Sequence, residues 1–344
     1  PFLLKELNNT YSEQNIMVIL NNNSEIDQYY DLFKNYFNCN NILKFPSWDI
    51  VPYEETSPSQ VILNERFKSL NNIIINDSKK KSYLVLTDVD SVLQLLPLKL
   101  LLTNNYFEVK IKQNLSLEIL NSNLYSIGYE RVEIVLEPHE YAVRGGIIDI
   151  WPLGEDYPIR VDFFGDRIDS IKTFNPISQI TINEQEKKNI FSSIESPRDK
   201  KSNKIFIENY RKKFGPSTSN ELFVHKLKNN IRADGIENWL PLFYSSDLID
   251  LTEFFDIKLI IADDSFLERA KKKIEDINNL YNEKISTIEK DYETINFPLP
   301  PKCFYLSYEK LNNICSAKYF KELYYLSTEK SDLVYEIKCK ENLE

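Results

Sequence analysis

Across the first hundred residues, short and largely apolar runs alternate with stretches of helical periodicity. IMVIL (16–20), NILKF (41–45) and SYLVLT (82–87) have the length of strands, whereas FLLKEL (2–7), IDQYYDLFKNYF (26–37) and VILNERFKSLNNI (61–73) repeat apolar positions every three or four residues. This alternation predicts a parallel sheet with helices on its faces, since parallel strands joined by crossover helices are covered on both sides. DVDSVLQLLP (88–97) reads as one more strand-to-helix step, the helix capped by an aspartate.

Near residue 107 the period changes. FEVKIKQ opens a segment with a short helix (116–122), followed by strands of period two: RVEIVLE, YAVRGGIIDIW, IRVDFF and RIDSIKTF, with turn signals at GED and GD. Beyond a tail, QITINEQEKKN, helical patterns return in FIENYRKKF, ELFVHKLKN and NWLPLFY, followed by a buried strand IKLIIAD (257–263). Residues 266–292 space Leu267, Ala270, Ile274, Ile277, Tyr281, Ile285, Ile288 and Tyr292 as one long amphipathic helix, ended by LPP (299–301). The expected organisation is an α/β domain over 1–106, an inserted α+β module of antiparallel strands over 107–192, and a return to the first domain over 193–344.

Chemistry is sparse. No phosphate loop of the G-x-x-x-x-G-K-[ST] or G-x-G-x-x-G type occurs among the seven glycines, and Gly145 and Gly146 read as a bulge inside a strand. FLLKEL resembles the first helix of an α/β unit, so the strand and loop that would carry such a motif belong upstream of Pro1, and the chain reads as a fragment. Cys39, Cys303, Cys315 and Cys339 form no C-x-x-C pair and the two histidines have no zinc-ligand spacing, which suits reduced thiols in a cytoplasm. His139 reads as a surface or turn residue, and Asp88 and Asp90, like Glu54 and Glu55, as helix caps or solvated carboxylates. A net charge of −10 argues against wrapping nucleic acid, and no apolar run reaches the roughly 20 residues of a membrane helix.

The informative stretch is EYAVRGGIIDIWPLGEDYPIRVDFF (140–164). Strand alternation sends Ile159, Val161 and Phe163 to one face and Arg160, Asp162 and Phe164 to the other. A two-residue turn at Gly165 and Asp166 would pair Phe164 with Arg167 and Phe163 with Ile168. An aromatic among arginines and carboxylates is the composition of a protein-docking patch, which Arg144 could join. The competing reading is a solvated salt-bridge ladder with Phe164 tucked against a helix, and the pattern leaves both open.

FPSWDIVPYEETSPSQVILNERFKSL (45–70), GYERVEIVLEPHEYAVRGGIIDIWPLGEDYPIRVDFFGDRIDSIKTFNPISQ (128–179) and GIENWLPLFY (235–244) resemble the amino-terminal, UvrB-like region of the bacterial transcription-repair coupling factor family (Mfd). The resemblance implies a degenerate RecA/helicase-like parallel-sheet domain interrupted by a module that binds UvrA, the damage-recognition ATPase of nucleotide excision repair. The matched strand motifs make Arg144, Arg160 and Phe164 the UvrA-contacting anchors, with Arg167 and Asp166 beside them at a turn that reads GD where relatives often have DD. Only TSPSQ separates VPYEE from the following helix, leaving no room for the DNA-clamping aromatic hairpin of UvrB. The resemblance implies no catalytic residues and no cofactor in this segment. ATP, magnesium, DNA and RNA polymerase belong to motor and polymerase-binding domains of the full-length family protein.

Overall fold

In this computed structural model the described residues are 14–36, 41–76, 82–98, 106–197, 199–215, 222–229, 233–244, 248–288, 296–317 and 319–323. The expected helix at 2–7, Cys39, Cys339 and the end of the long helix beyond 288 lie outside them.

Strand β1 (Ile16–Leu20) leads through helix α1 (Asn23–Tyr36) to β2 (Ile42–Phe45), and through α2 (Gln60–Asn76) to β3 (Leu84–Asp88). Asp88 then caps α3 (Val89–Leu93), its carboxylate accepting from the Ser91 amide at 2.8 Å. Both faces of these strands are covered. Met17, Ile19 and Val85 join one apolar cluster, while Ile16, Val18, Leu84 and Leu86 join another on the opposite side. Such two-sided burial explains why the runs carry few polar residues.

The chain next builds β4 (Tyr106–Lys110), α4 (Leu117–Ser126), β5 (Glu130–Arg131), β6 (Glu140–Arg144), β7 (Ile147–Ile150), β8 (Ile159–Phe164), β9 (Arg167–Phe174), β10 (Thr181–Glu184) and β11 (Lys187–Phe191). Helices α5 (Lys200–Phe214) and α6 (Leu222–Lys228), a 3-10 helix at Ile236–Phe243 and α7 (Leu251–Phe254) follow. Strand β12 (Leu259–Asp263), the long α8 (Phe266–Ile288), α9 (Tyr308–Ala317) and β13 (Tyr319–Leu323) complete the order. One five-stranded sheet runs β13-β12-β1-β3-β2 with all neighbours parallel. A second sheet runs β10-β9-β8-β7-β6-β5, antiparallel except for the β5–β6 pair, and β4 pairs with β11. The parallel α/β sheet and the antiparallel strands interposed within it agree with the expectation.

Four local readings need correction. YAVRGGIIDIW is two strands, because Gly145 and Gly146 form the hairpin connection that pairs Arg144 with Ile147; the bulge lies instead where β8 meets β9, at Asp162 and Phe163. A Gly-Gly pair between alternating strands supplies the positive φ of a tight hairpin, here +58° at Gly145. RVEIVLE extends as strand only at Arg131, since Ile134 and Leu136 are exposed and the Glu140 carboxylate accepts from the Leu136 and Glu137 amides, drawing the backbone into a turn. The tail QITINEQEKKN contains β10 and most of β11: polar residues suffice where a strand lies at a sheet edge. NWLPLFY is 3-10 rather than α-helical, with Pro241 inside it.

The two flanking sequence blocks meet in space. Asn238 accepts from the Tyr53 amide at 3.1 Å and donates to the Glu54 carbonyl at 2.7 Å, while Ser57 accepts from the Gly235 amide at 3.0 Å. Gly235 holds φ at +77°, and a Cβ there would sit 2.7 Å from the Glu55 backbone. Gly235→Ala should therefore destabilise the protein by about 2 kcal/mol, combining strained backbone with a steric clash. A urea midpoint equal to wild type would disprove that.

Candidate protein-docking face

The β6–β9 meander separates two chemistries by strand parity. Tyr141, Ile148, Ile150, Ile159, Val161, Ile168 and Ile171 face inward and are buried with Leu120 and Leu124 of α4. Registers Asp149↔Arg160, Ile147↔Asp162, Arg160↔Lys172 and Phe164↔Arg167 put the opposite set outward. Phe163 pairs with Ile168 as alternation and a two-residue turn require.

Both hairpin turns lie at one end of this sheet, and the Phe163 amide donates to the Gly146 carbonyl at 2.8 Å between them. Gly165, at φ +61°, fills the first central position of its turn, where a type II′ geometry needs glycine. Residues 112–115 brace that tip: the Leu115 amide donates to the Asp166 carbonyl at 2.9 Å and the Ile168 amide to the Gln113 carbonyl at 3.1 Å. Phe164 stands on this braced tip 83% exposed. Arg167 and Asp166 are exposed beside it. Arg144, exposed at the neighbouring turn, donates from Nη2 to the Glu133 carbonyl at 3.0 Å.

Arg160 has a different situation. Its guanidinium donates to both carboxylate oxygens of Asp149, Nε at 2.7 Å and Nη2 at 2.8 Å, and Nη2 also donates to Gln179 Oε1 at 2.8 Å. It lies 4.5 Å over the Phe174 ring. The Asp149 hydrogen bonds raise the Arg160 pKa further, against the opposing effect of burial. Next along β8, burial pushes the Asp162 carboxyl up, but the Ser170 hydroxyl and the Lys172 ammonium at 3.0 Å outweigh it and hold the pKa below the usual value. The ladder and the exposed aromatic therefore coexist, and Phe164 is not tucked against a helix.

Sequence reading missed Asp149, Phe174 and Gln179, the three residues that fix Arg160. Asp149 did carry a signal: once IIDI is read as a strand of its own, alternation turns Asp149 away from the buried Ile148 and Ile150, onto the face where Arg160 lies opposite it. Gln179 carried no such signal, because its loop returns to the face only through tertiary folding.

His139 is buried, not on the surface, in a turn at φ +72° with Nε2 3.7 Å from Glu130. Burial lowers its pKa despite the neighbouring carboxylates. The unfolded histidine, near the ordinary 6.5, takes up its proton before the folded one does. Its contribution to stability is complete above that value and is lost as pH falls through the lower folded pKa. The urea midpoint should fall as pH is lowered from about 6.5 through the depressed folded pKa, and His139→Asn, which tolerates positive φ, should flatten that fall. An unchanged slope in the variant would remove His139 as the cause.

Among the described residues no group of three or more His, Cys, Asp or Glu side chains could hold a metal ion. No described helix is long and apolar enough to cross a membrane.

Comparison with known proteins fits this geometry. Residues 107–195 match the family model of the UvrB interaction domain, which spans the whole outward-facing sheet. The transcription-repair-coupling factor of Escherichia coli (strain K12) is 30% identical over 234 residues, 68% of this chain. The chain belongs to the transcription-repair-coupling factor family. The Haemophilus influenzae coupling factor is 31% identical over 240 residues, 67% of the chain, and that of Rickettsia conorii is 24% identical over 325 residues, 94% of the chain. The chain spans 20% of the length of the first two coupling factors and 29% of the third.

Proposed function

We propose that this chain is a recruitment module that docks UvrA in transcription-coupled nucleotide excision repair, using the outward face of β6–β9. Phe164 carries the reading: a large aromatic held in solvent on a rigid tip, flanked by Arg144 and Arg167, inside the segment that matches the UvrB interaction domain. Folding alone gives no reason to expose that ring. Arg144, Arg167 and Asp166 supply a charged rim, while Arg160 contributes from a site already linked to Asp149.

In this reading the parallel-sheet domain is a degenerate helicase-like scaffold, and the segment works in the cytoplasm without chemistry of its own. RNA polymerase, DNA, ATP and magnesium are engaged by other segments of full-length coupling factors. Against residual nucleotide binding stands the cleft beyond the carboxyl ends of β2 and β3, where such ligands sit in open α/β sheets. Ser47, Trp48, Asp90, Gln94, Lys273 and Tyr305 line it, and its volume is about 40 Å³. Lys273 closes on Asp90 at 2.7 Å. A nucleotide pocket needs roughly 300 Å³ or more. The direct test is binding of purified cognate UvrA to wild type and to Arg144→Ala and Phe164→Ala; equal affinity in all three would reject the face.

A further inference from the structure

We infer that the loop joining β9 to β10 is a second apolar anchor of the docking face, with Ile177 as its contact side chain, and that Arg160 is a positioning residue for it. This rests on the reading that the face docks UvrA. Ile177 is 90% exposed, more so than Phe164, and Ile180 beside it is 67% exposed. An unstructured loop would carry little weight, but this one is built. Asn175 Oδ1 accepts from the Ile177 and Ser178 amides at 3.0 and 2.9 Å, and the Gln179 amide donates to the Asn175 carbonyl at 2.8 Å. The Asn175 amide donates to the Ile180 carbonyl at 2.9 Å, closing the loop, and the Gln179 side-chain amide donates to the Pro176 carbonyl at 2.7 Å.

Gln179 Oε1 then ties the closed loop to Arg160 Nη2, and Phe174 lies buried under the same guanidinium. The order of dependence is Asp149, Arg160, Gln179, Ile177. Pre-ordering an apolar side chain in this way removes the entropy loss that a mobile loop would suffer on association. Along β8, Arg160 and Phe164 are four residues apart, about 13 Å at strand rise. A partner patch of ordinary interface size spans that distance and reaches Ile177 beyond it. An apolar contact at each end with an ion-paired centre between them fits one protein surface carrying two apolar recesses. Arg160 substitutions would then weaken docking through the loop as well as through the contribution of Arg160 itself.

The test is affinity of the whole chain for purified cognate UvrA, with thermal unfolding measured in parallel. Ile177→Ser should weaken binding at least about tenfold at an unchanged unfolding midpoint, because the side chain touches little in the free protein. Gln179→Ala should weaken it by a smaller factor, and Gln179→Ala combined with Ile177→Ser should bind no more weakly than Ile177→Ser alone. That coupling is specific to a positioning role. Wild-type affinity in Ile177→Ser together with weakened Phe164→Ala would discard the second anchor and leave the docking face standing. Wild-type affinity in both would discard both.

Discussion

Phe164→Ala should lower the affinity of this chain for UvrA by about 2 to 4 kcal/mol, a loss of roughly 30- to 1000-fold, while leaving its unfolding midpoint unchanged. The separation of the two readouts follows from the structure. The ring is 83% exposed, so truncation removes almost no packing from the free protein. The backbone that presents it is held by Gly165 and by hydrogen bonds from residues 112–115 that do not involve the ring. A benzyl group entering a recess on a partner is the kind of contact that dominates interface energetics, and the arginines around it hydrogen-bond readily at a rim. Titration of UvrA by calorimetry measures the loss. Affinity within twofold of wild type would remove Phe164 from the interface.

Arg66→Met should destabilise the fold by about 3 to 5 kcal/mol, the cost of leaving one member of a buried ion pair alone. Arg66, on α2, is fully buried against Glu195, with Nε 2.7 Å from Oε1. Its Nη1 donates to the Pro46 carbonyl and its Nη2 to Gln94 Oε1, both at 2.9 Å, and its guanidinium lies 4.1 Å over the Phe45 ring. Glu195 belongs to the segment by which the chain returns from β11 to α5, and its own carbonyl accepts from the Tyr244 hydroxyl at 2.6 Å. Arg66 thus joins α2, the end of β2 and the return segment through one side chain. With methionine there, Glu195 would keep a buried carboxylate without its partner, so Arg66→Met with Glu195→Gln should recover part of the loss. Urea denaturation decides it. A single variant within about 1 kcal/mol of wild type would show that the pair holds nothing.

How much of this was legible beforehand depended on whether the cause was local. IMVIL became β1 over the same five residues, and Asp88 was recognisable as a cap because capping is a matter of one side chain and the next turn. The pairing of Phe164 with Arg167 followed from a two-residue turn and period-two alternation. By contrast, Gly145-Gly146 read as a bulge and is a hairpin, since both want glycine and the difference lies in whether the flanking strands fold back on each other. Arg66 reads in sequence as one more charged residue on an amphipathic helix. Its partner, Glu195, lies 129 positions away, and nothing local announces it.

The sequence by itself therefore determined the alternation of strands and helices around β1 to β3, the Asp88 cap and which face β8 would bury, because periodicity and turn chemistry act over a few residues. It also carried the family, through long blocks of matching residues. Only the tertiary structure decided how far each outward group is exposed and what holds it. Arg160 and Arg144 have the same standing in a strand pattern. One is clasped by Asp149 and Gln179 from other strands and loops, and the other stands exposed at a turn, because exposure and pairing are set by contacts between segments that local sequence does not encode.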